Sequence, residues 1–365
     1  MFKWSFVLVA IGMSPMAWAD EPLLSPRKPP ERAKIRKALA DARHFLIRQL
    51  DDKTGRSVLE YDLDSSRHGI ETALVLRALS LTGERYDQSP TLRRGYVWLI
   101  GRPRESPELV ALRIAALADV SSIDELLYQC LAADVAWLIK AGSEEGNYST
   151  DSLAGQSQLS YHNPISDLVT DALDVVARQD VLVPREFWER NARAWVRSQL
   201  TAGGWKALEG WSGYQANFTM TAAGICGLQT SLKHFDDQTD ADLRRRAKES
   251  LDLATRWLDE QFALPMRGSA RDDCYASHRF PGPSIDSFDS CELQNRWLVN
   301  LGRLKTSGAL ARLGHGDDPW TELSAQLVAN QNDDGSWGGG TWSGGIFRIQ
   351  LTASGVVYLA SVTLE

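Results

Sequence analysis

The residues best equipped for chemistry cluster between positions 272 and 292. Asp286, Asp289 and Glu292 form a compact acidic set, suited to general acid or base work if desolvated. Just before them, Asp272, Cys274 and His278 bring three possible zinc ligands into one short stretch, although no second cluster accompanies them. Two plainer accounts stand beside zinc. Cys274 and Cys291 could bridge the intervening Pro/Gly-rich loop, or the acids could pair with Arg271 and Arg279 in a solvated loop. Elsewhere His68 and Glu71, Tyr161, His162 and Asp167, Tyr214 and Asn217, and Arg348 with Gln350 each sit just before or within the start of an apolar segment. Any one of them suits a helix cap or an interhelix hydrogen bond; together they suggest a shared mouth. Of these, His68, Tyr161, His162, Tyr214 and Arg348, with Tyr275, are the candidates for touching a ligand.

The elements that must position them are helices. Apolar residues three and four apart recur in 31–50, 91–100, 123–140, 185–200, 242–262 and 320–331. Between these lie segments that are apolar on most sides, 71–83, 108–120, 165–179, 218–232, 290–301 and 349–362. A helix apolar all round is surrounded by protein, whereas one with a charged face meets water. The chain thus reads as outer helix then inner helix, repeated, and predicts an all-α (α/α)6 toroid whose inner helices line a central cavity. An open solenoid needs polar capping repeats. The apolar C-terminal stretch LTASGVVYLASVTLE favours closure instead. Long outer-to-inner connections, near 51–69, 141–163, 201–215, 263–288 and 332–347, would all emerge on one rim.

Two of those loops are near-copies. Gln199-Leu-Thr-Ala-Gly203-Gly-Trp205 and Gln331-Asn-Asp-Asp-Gly335-Ser-Trp337 both fit Gln-x3-Gly-x-Trp. Each continues through Trp-Ser-Gly to Thr-Ala-x-Gly at the same spacing, Trp211 to Gly224 and Trp342 to Gly355. Degenerate copies are Gln49 with Gly55, Lys140 with Gly146 and Tyr148, and Gln261 with Gly268. The residue types suggest a structural joint: glycine ends a helix, glutamine satisfies exposed backbone groups, and the indole covers apolar surface.

This recurring unit resembles the QW repeat of squalene and oxidosqualene cyclases, shared in degenerate form by protein prenyltransferase β subunits. The resemblance covers nearly the whole chain after its leader and implies the same toroid, with an apolar or isoprenoid-like ligand in the cavity. The catalytic motifs depart from the families' patterns. Where a squalene-type cyclase carries its proton-donating aspartate, the string Asp286-Ser-Phe288-Asp289 offers Phe288. Where a prenyltransferase carries a zinc histidine in its last inner helix, Arg348 falls. Two other functions remain open on the same fold: a noncatalytic toroid that contacts a protein partner through its long loops, and a secreted carbohydrate-active enzyme with an aromatic cleft lined by tryptophans such as Trp205, Trp211, Trp337 or Trp342.

Composition bounds the rest. Residues 1–19 carry Lys3, an apolar run and an Ala17-Trp18-Ala19 site, which predicts a signal peptide cleaved before Asp20 and an exported, periplasmic or extracellular protein. A short linker, 20–30, then leads into a single domain spanning 31–365. No second long apolar run predicts a membrane span in the mature chain. The net charge of −7 and the lack of a basic stripe argue against nucleic acid. Cys130 and Cys226 fall on apolar helical patterns and are expected in the core.

Overall fold

The structure, a computed structural model, describes residue 30 and residues 32–60, 68–120, 125–149, 163–207, 216–262, 298–306, 319–337 and 344–363. Outer helices α1 (Arg32–Ile47), α3 (Pro90–Ile100), α5 (Glu125–Ala141), α7 (Arg185–Ser198), α9 (Ala241–Phe262) and α11 (Pro319–Ala329) alternate with inner ones. The inner helices are α2 (Ile70–Leu81), α4 (Pro107–Ala118), α6 (Asn163–Ala177), α8 (Phe218–Lys233), α10 (298–306) and α12 (Gly344–Thr363). No strand occurs among the described residues, only isolated bridges at Leu50–Ser57 and Trp205–Asn217.

Burial separates the two rings as the patterning predicts. Every residue of α4 is buried. On α9, by contrast, Leu243, Ala247, Ser250, Ala254 and Leu258 are buried, a single stripe at helical spacing. Neighbour follows neighbour around the inner ring, α2 on α4, α4 on α6 and α6 on α8. The Cys226 thiol of α8 then donates to the Asn300 carbonyl of α10, and Lys305 of α10 donates to the Val362 carbonyl of α12. Helix α12 packs against α2, and the ring closes. Cys130 and Cys226 are both buried free thiols, as core residues should be.

Two inner helices run beyond their expected bounds. The helical residues of α10 continue to 306 rather than ending near Leu301, through Gly302, where an added Cβ would meet Ser361 Oγ. Helix α12 starts at Gly344, five residues before the apolar run begins at Ile349. At Gly302 close packing of the inner ring overrides the intrinsic cost of helical glycine.

The Gln-x3-Gly-x-Trp units are the joints of this ring. Gln199 Nε2 donates to the Gly203 carbonyl at 2.7 Å and to the Ser250 carbonyl of the next outer helix, α9, at 2.8 Å. Gln331 Nε2 does the same to Gly335 at 2.9 Å and to Ala38 at 2.8 Å. Ala38 lies on α1, so the joint that closes the toroid is built like an internal one. Each indole donates back to its own outer helix, Trp205 to the Trp195 carbonyl and Trp337 to that of Leu327. The Trp205 and Trp337 backbone N–H groups donate to Thr221 and Thr352 on the inner helices. Gly224 and Gly355 leave room for the rings: a Cβ there would stand 2.4 Å and 2.9 Å from indole carbons. The degenerate third copy keeps the pattern with different atoms, since the Tyr148 hydroxyl donates to the Leu138 carbonyl and its N–H to Ser166.

The joint glycine is required twice over. Gly335 has φ +88, and a Cβ there would lie 2.2 Å from the Asp41 carbonyl oxygen of α1. Gly83 has the same φ with nothing within 4 Å. Gly335→Ala is therefore expected to cost about 2 kcal/mol more than Gly83→Ala, which pays only for the left-handed backbone, roughly 1 kcal/mol. Urea unfolding of the two variants checks this; equal losses would contradict the close approach.

Candidate functional site

An arginine or aspartate inside an inner helix has to find a partner within the ring, because an unpaired buried charge is costly. Arg77 of α2 reaches Asp171 of α6 at 3.2 Å and Asp119, the residue after α4, at 3.2 Å. Arg303 of α10 meets Asp167 at 2.6 Å and Asp171 at 3.2 Å. Helix α4 stands between α2 and α6 in the ring, and α8 between α6 and α10. These pairs consequently cross the lumen and join alternate inner helices at its centre. Burial opposes the charge on both central groups. Even so, Arg303 and then Arg77 hold the Asp171 carboxyl below the ordinary carboxylate range, and Asp171 and Asp167 raise Arg303. At Asp119 burial wins over Arg77 and the carboxyl is pushed up. One turn beyond Asp171, Asp174 binds His234, Lys233 and Arg178. Their hydrogen bonds outweigh its burial and lower its pKa.

Arg77, Asp119 and Asp174 lie towards the C-terminal ends of the inner helices, Asp171 stands mid-helix and Asp167 one turn closer to the N-terminal end of α6. The inner helices share one direction, so the mouth above this floor is framed by their N-terminal turns. Glu71 sits there, fully buried in the first turn of α2. The α2 cap residue, Gly69, has no side chain, and Glu60 supplies the capping carboxylate instead. Its Oε1 accepts from Gly69 N–H at 2.7 Å and its Oε2 from Thr72 N–H at 3.0 Å. Gln350 of α12 donates to Glu71 Oε1 at 3.1 Å, while Glu71 Oε2 has no donor. Burial, then the hydrogen bond to Glu60, then the Glu60 charge push the Glu71 pKa up to about 9. Glu71 is an uncharged carboxylic acid at neutral pH, and its proton faces Glu60 at the seam where α12 meets α2.

The other expected ligand contacts divide. His68 is buried edge-on against Trp98 of α3, within the wall. Arg348 does not stand free for a ligand: Asp334 and Ser336 of its own joint engage its guanidinium, which also lies over the Phe45 ring. Asn217 caps α8, accepting from Met220 N–H at 2.8 Å. Asp286, Asp289, Glu292, the zinc candidates Asp272, Cys274 and His278, the Cys274–Cys291 bridge, and Tyr161, His162, Tyr214 and Tyr275 lie outside the described residues. Among the described residues no group of three or more His, Cys, Asp or Glu could hold a metal ion. No helix there is long and apolar enough to cross a membrane. Of the tryptophans expected to line an aromatic cleft, Trp205 and Trp337 are buried in the joints and offer no platform to a sugar, while Trp211 and Trp342 lie outside the described residues.

The sequence marks Glu71, Asp167 and Gln350 as mouth residues, but not Glu60, Arg77, Asp171 or Arg303. The signal was present: Arg77 interrupts ETALVLRALSL, and Asp171 and Asp174 interrupt an otherwise apolar turn of α6.

The raised Glu71 pKa has a stability consequence. Below its ordinary 4.5 both folded and unfolded chains are protonated there; from 4.5 to about 9 only the unfolded chain has lost the proton, so stability falls as pH rises. Glu71→Gln keeps a donor towards Glu60 and an acceptor for Gln350. Its stability relative to wild type is expected to grow steadily between pH 5 and pH 9 in denaturant titrations. A difference independent of pH would mean that Glu71 is ionised.

No protein-family model and no curated protein matches this chain. Among solved structures, the type II terpene cyclase MstE from Scytonema is similar at TM-score 0.52 and 14% identity, over 92% of this chain and 99% of that one. An unsaturated glucuronyl hydrolase specific for heparin is similar at TM-score 0.55 and 12% identity, over 91% and 96%. A possible member of the GH105 family from Klebsiella pneumoniae is similar at 0.53 and 13%, over 97% and 99%. At such identities the likeness concerns the fold. The chain has the α/α-toroid fold that these terpene-cyclase and GH105-type proteins share.

Proposed function

We propose that this protein is an exported, cyclase-like toroid that holds an apolar, isoprenoid-like small molecule at the mouth framed by the N-terminal turns of its inner helices. The observation that carries this reading is Glu71, a buried carboxylic acid kept uncharged in that mouth. A neutral acid tolerates an apolar neighbour where a carboxylate would not, and it has a proton to give, so the same site suits binding alone or proton-initiated conversion. The N-terminal turns around it carry Ile70, Leu109 and Ile165, all buried, with Phe218 and Ile346 half-buried. The ion network supports the reading as a polar floor that confines a ligand to the upper lumen.

Native mass spectrometry of the chain purified from its own host, followed by organic extraction, is expected to find an apolar molecule at up to one equivalent. Phe218→Asp should lose it. A chain that carries no such molecule and takes up no farnesol from solution contradicts the proposal.

A second reading has an observation of its own. Tyr128, Val135, Ile139, Val181, Leu182 and Pro184 line an apolar groove of about 420 Å³ on the outer wall, and Leu182 is 83% exposed. Such a patch suits a noncatalytic toroid that docks a protein partner. Under that reading Leu182→Asp abolishes partner capture while the mouth variant Phe218→Asp leaves it intact.

A further inference from the structure

We infer that Asn300 and Arg303 form the receptor for an uncharged oxygen, a hydroxyl or carbonyl, at the polar end of the molecule held in the lumen. The inference rests on the ligand reading above and adds the chemical class of the ligand's head and its direction. It starts from two donors that the ion network leaves over. Arg303 Nη1 donates to Asp167 Oδ1 at 2.6 Å and to Asn300 Oδ1 at 3.1 Å, and its Nε faces Asp171 Oδ1 at 3.2 Å. Accepting from Arg303 fixes the orientation of the Asn300 amide, because the reverse orientation would set donor against donor. Asn300 Nδ2 and Arg303 Nη2 are then both buried with no hydrogen-bond partner among the described residues.

These donors belong to one turn of one helix. Asn300 is 1% exposed, while the Arg303 side chain retains 17%, so part of the arginine arm stays open beside the two buried donor atoms. Two buried donors side by side on a fixed framework need an acceptor, and native interiors seldom leave such groups unpaired. The surrounding charge selects its kind. Among the described residues Asp119, Asp167, Asp171 and Asp174 stand against Arg77, Arg303, Arg178 and Lys233, carboxylates matched by cations, so another anion such as a carboxylate or phosphate would bring a charge in excess. A neutral oxygen accepts from both donors without adding charge. Along α2, Glu71 lies roughly 9 Å above Arg77 at the helical rise of about 1.5 Å per residue. A molecule anchored at Asn300 and Arg303 therefore points its apolar part up towards the mouth and past Glu71.

The test is a fluorescence titration of the full mature chain with farnesol and with farnesene, the hydrocarbon of the same chain length. Wild type is expected to bind the alcohol at least tenfold more tightly. Asn300→Asp replaces the free donor with an acceptor, and Arg303→Lys removes Nη2 while keeping a positive charge for Asp167 and Asp171. Each variant, shown folded by circular dichroism, should lose the preference for farnesol while its farnesene affinity stays the same. Equal affinity of wild type for both probes would overturn the receptor, leaving water as the partner of the two donors, and would leave the apolar-ligand reading standing. Binding of neither probe would overturn both.

Discussion

The arrangement of this toroid depends on one carboxylate. Asp171 sits between Arg77 and Arg303, side chains that arrive from helices on either side of it and two places away in the ring. A buried charge of this kind adds little net stability compared with well-packed apolar side chains, but it strongly penalises any arrangement that leaves one partner unpaired. It thus acts on geometry. The inner helices have to stand at a spacing and rotation that let three of them meet at the centre. The ligand reading concerns the mouth above this charged floor.

The joints do complementary work at the circumference. A glutamine that ties its own loop to the next outer helix, a glycine pressed against that helix's backbone, and an indole locked beneath an inner-helix glycine set the step from one hairpin to the next. Gln331 applies the same step from the last outer helix to α1, and so the repeat closes without a special clasp. Close packing at Gly302 also explains why α10 extends through glycine: the ring contacts outweigh helix propensity.

Much of this was legible in the sequence, and the limits have physical causes. The outer helices could be placed within a few residues because their one-sided patterning reports solvent directly. The joints could be read from the paired strings at Gln199 and Gln331, and the burial of Trp205 and Trp337 follows from their role there. Glu60 could not be recognised, because its task, capping α2 in place of Gly69, depends on how the loop folds back. The cross-lumen pairing was also hidden: Arg77 and Asp171 are far apart in the chain, and only the closed ring brings them together. Arg348 stood at a position where the resemblance implied a zinc ligand, yet its joint uses it to hold Asp334 and Ser336. A residue at a family's functional position can be reassigned to structure when the rest of the motif is absent.

The central claim is that side chains from alternate inner helices meet across the lumen, and a double-mutant cycle on Arg77→Gln and Asp171→Asn measures it most directly. Each single variant should cost on the order of 3 kcal/mol, because it strands a buried charge. The double variant should cost well below the sum, with a coupling above about 1 kcal/mol. Additivity within about 0.5 kcal/mol would mean that the two side chains do not meet, and the charged floor would have to be abandoned.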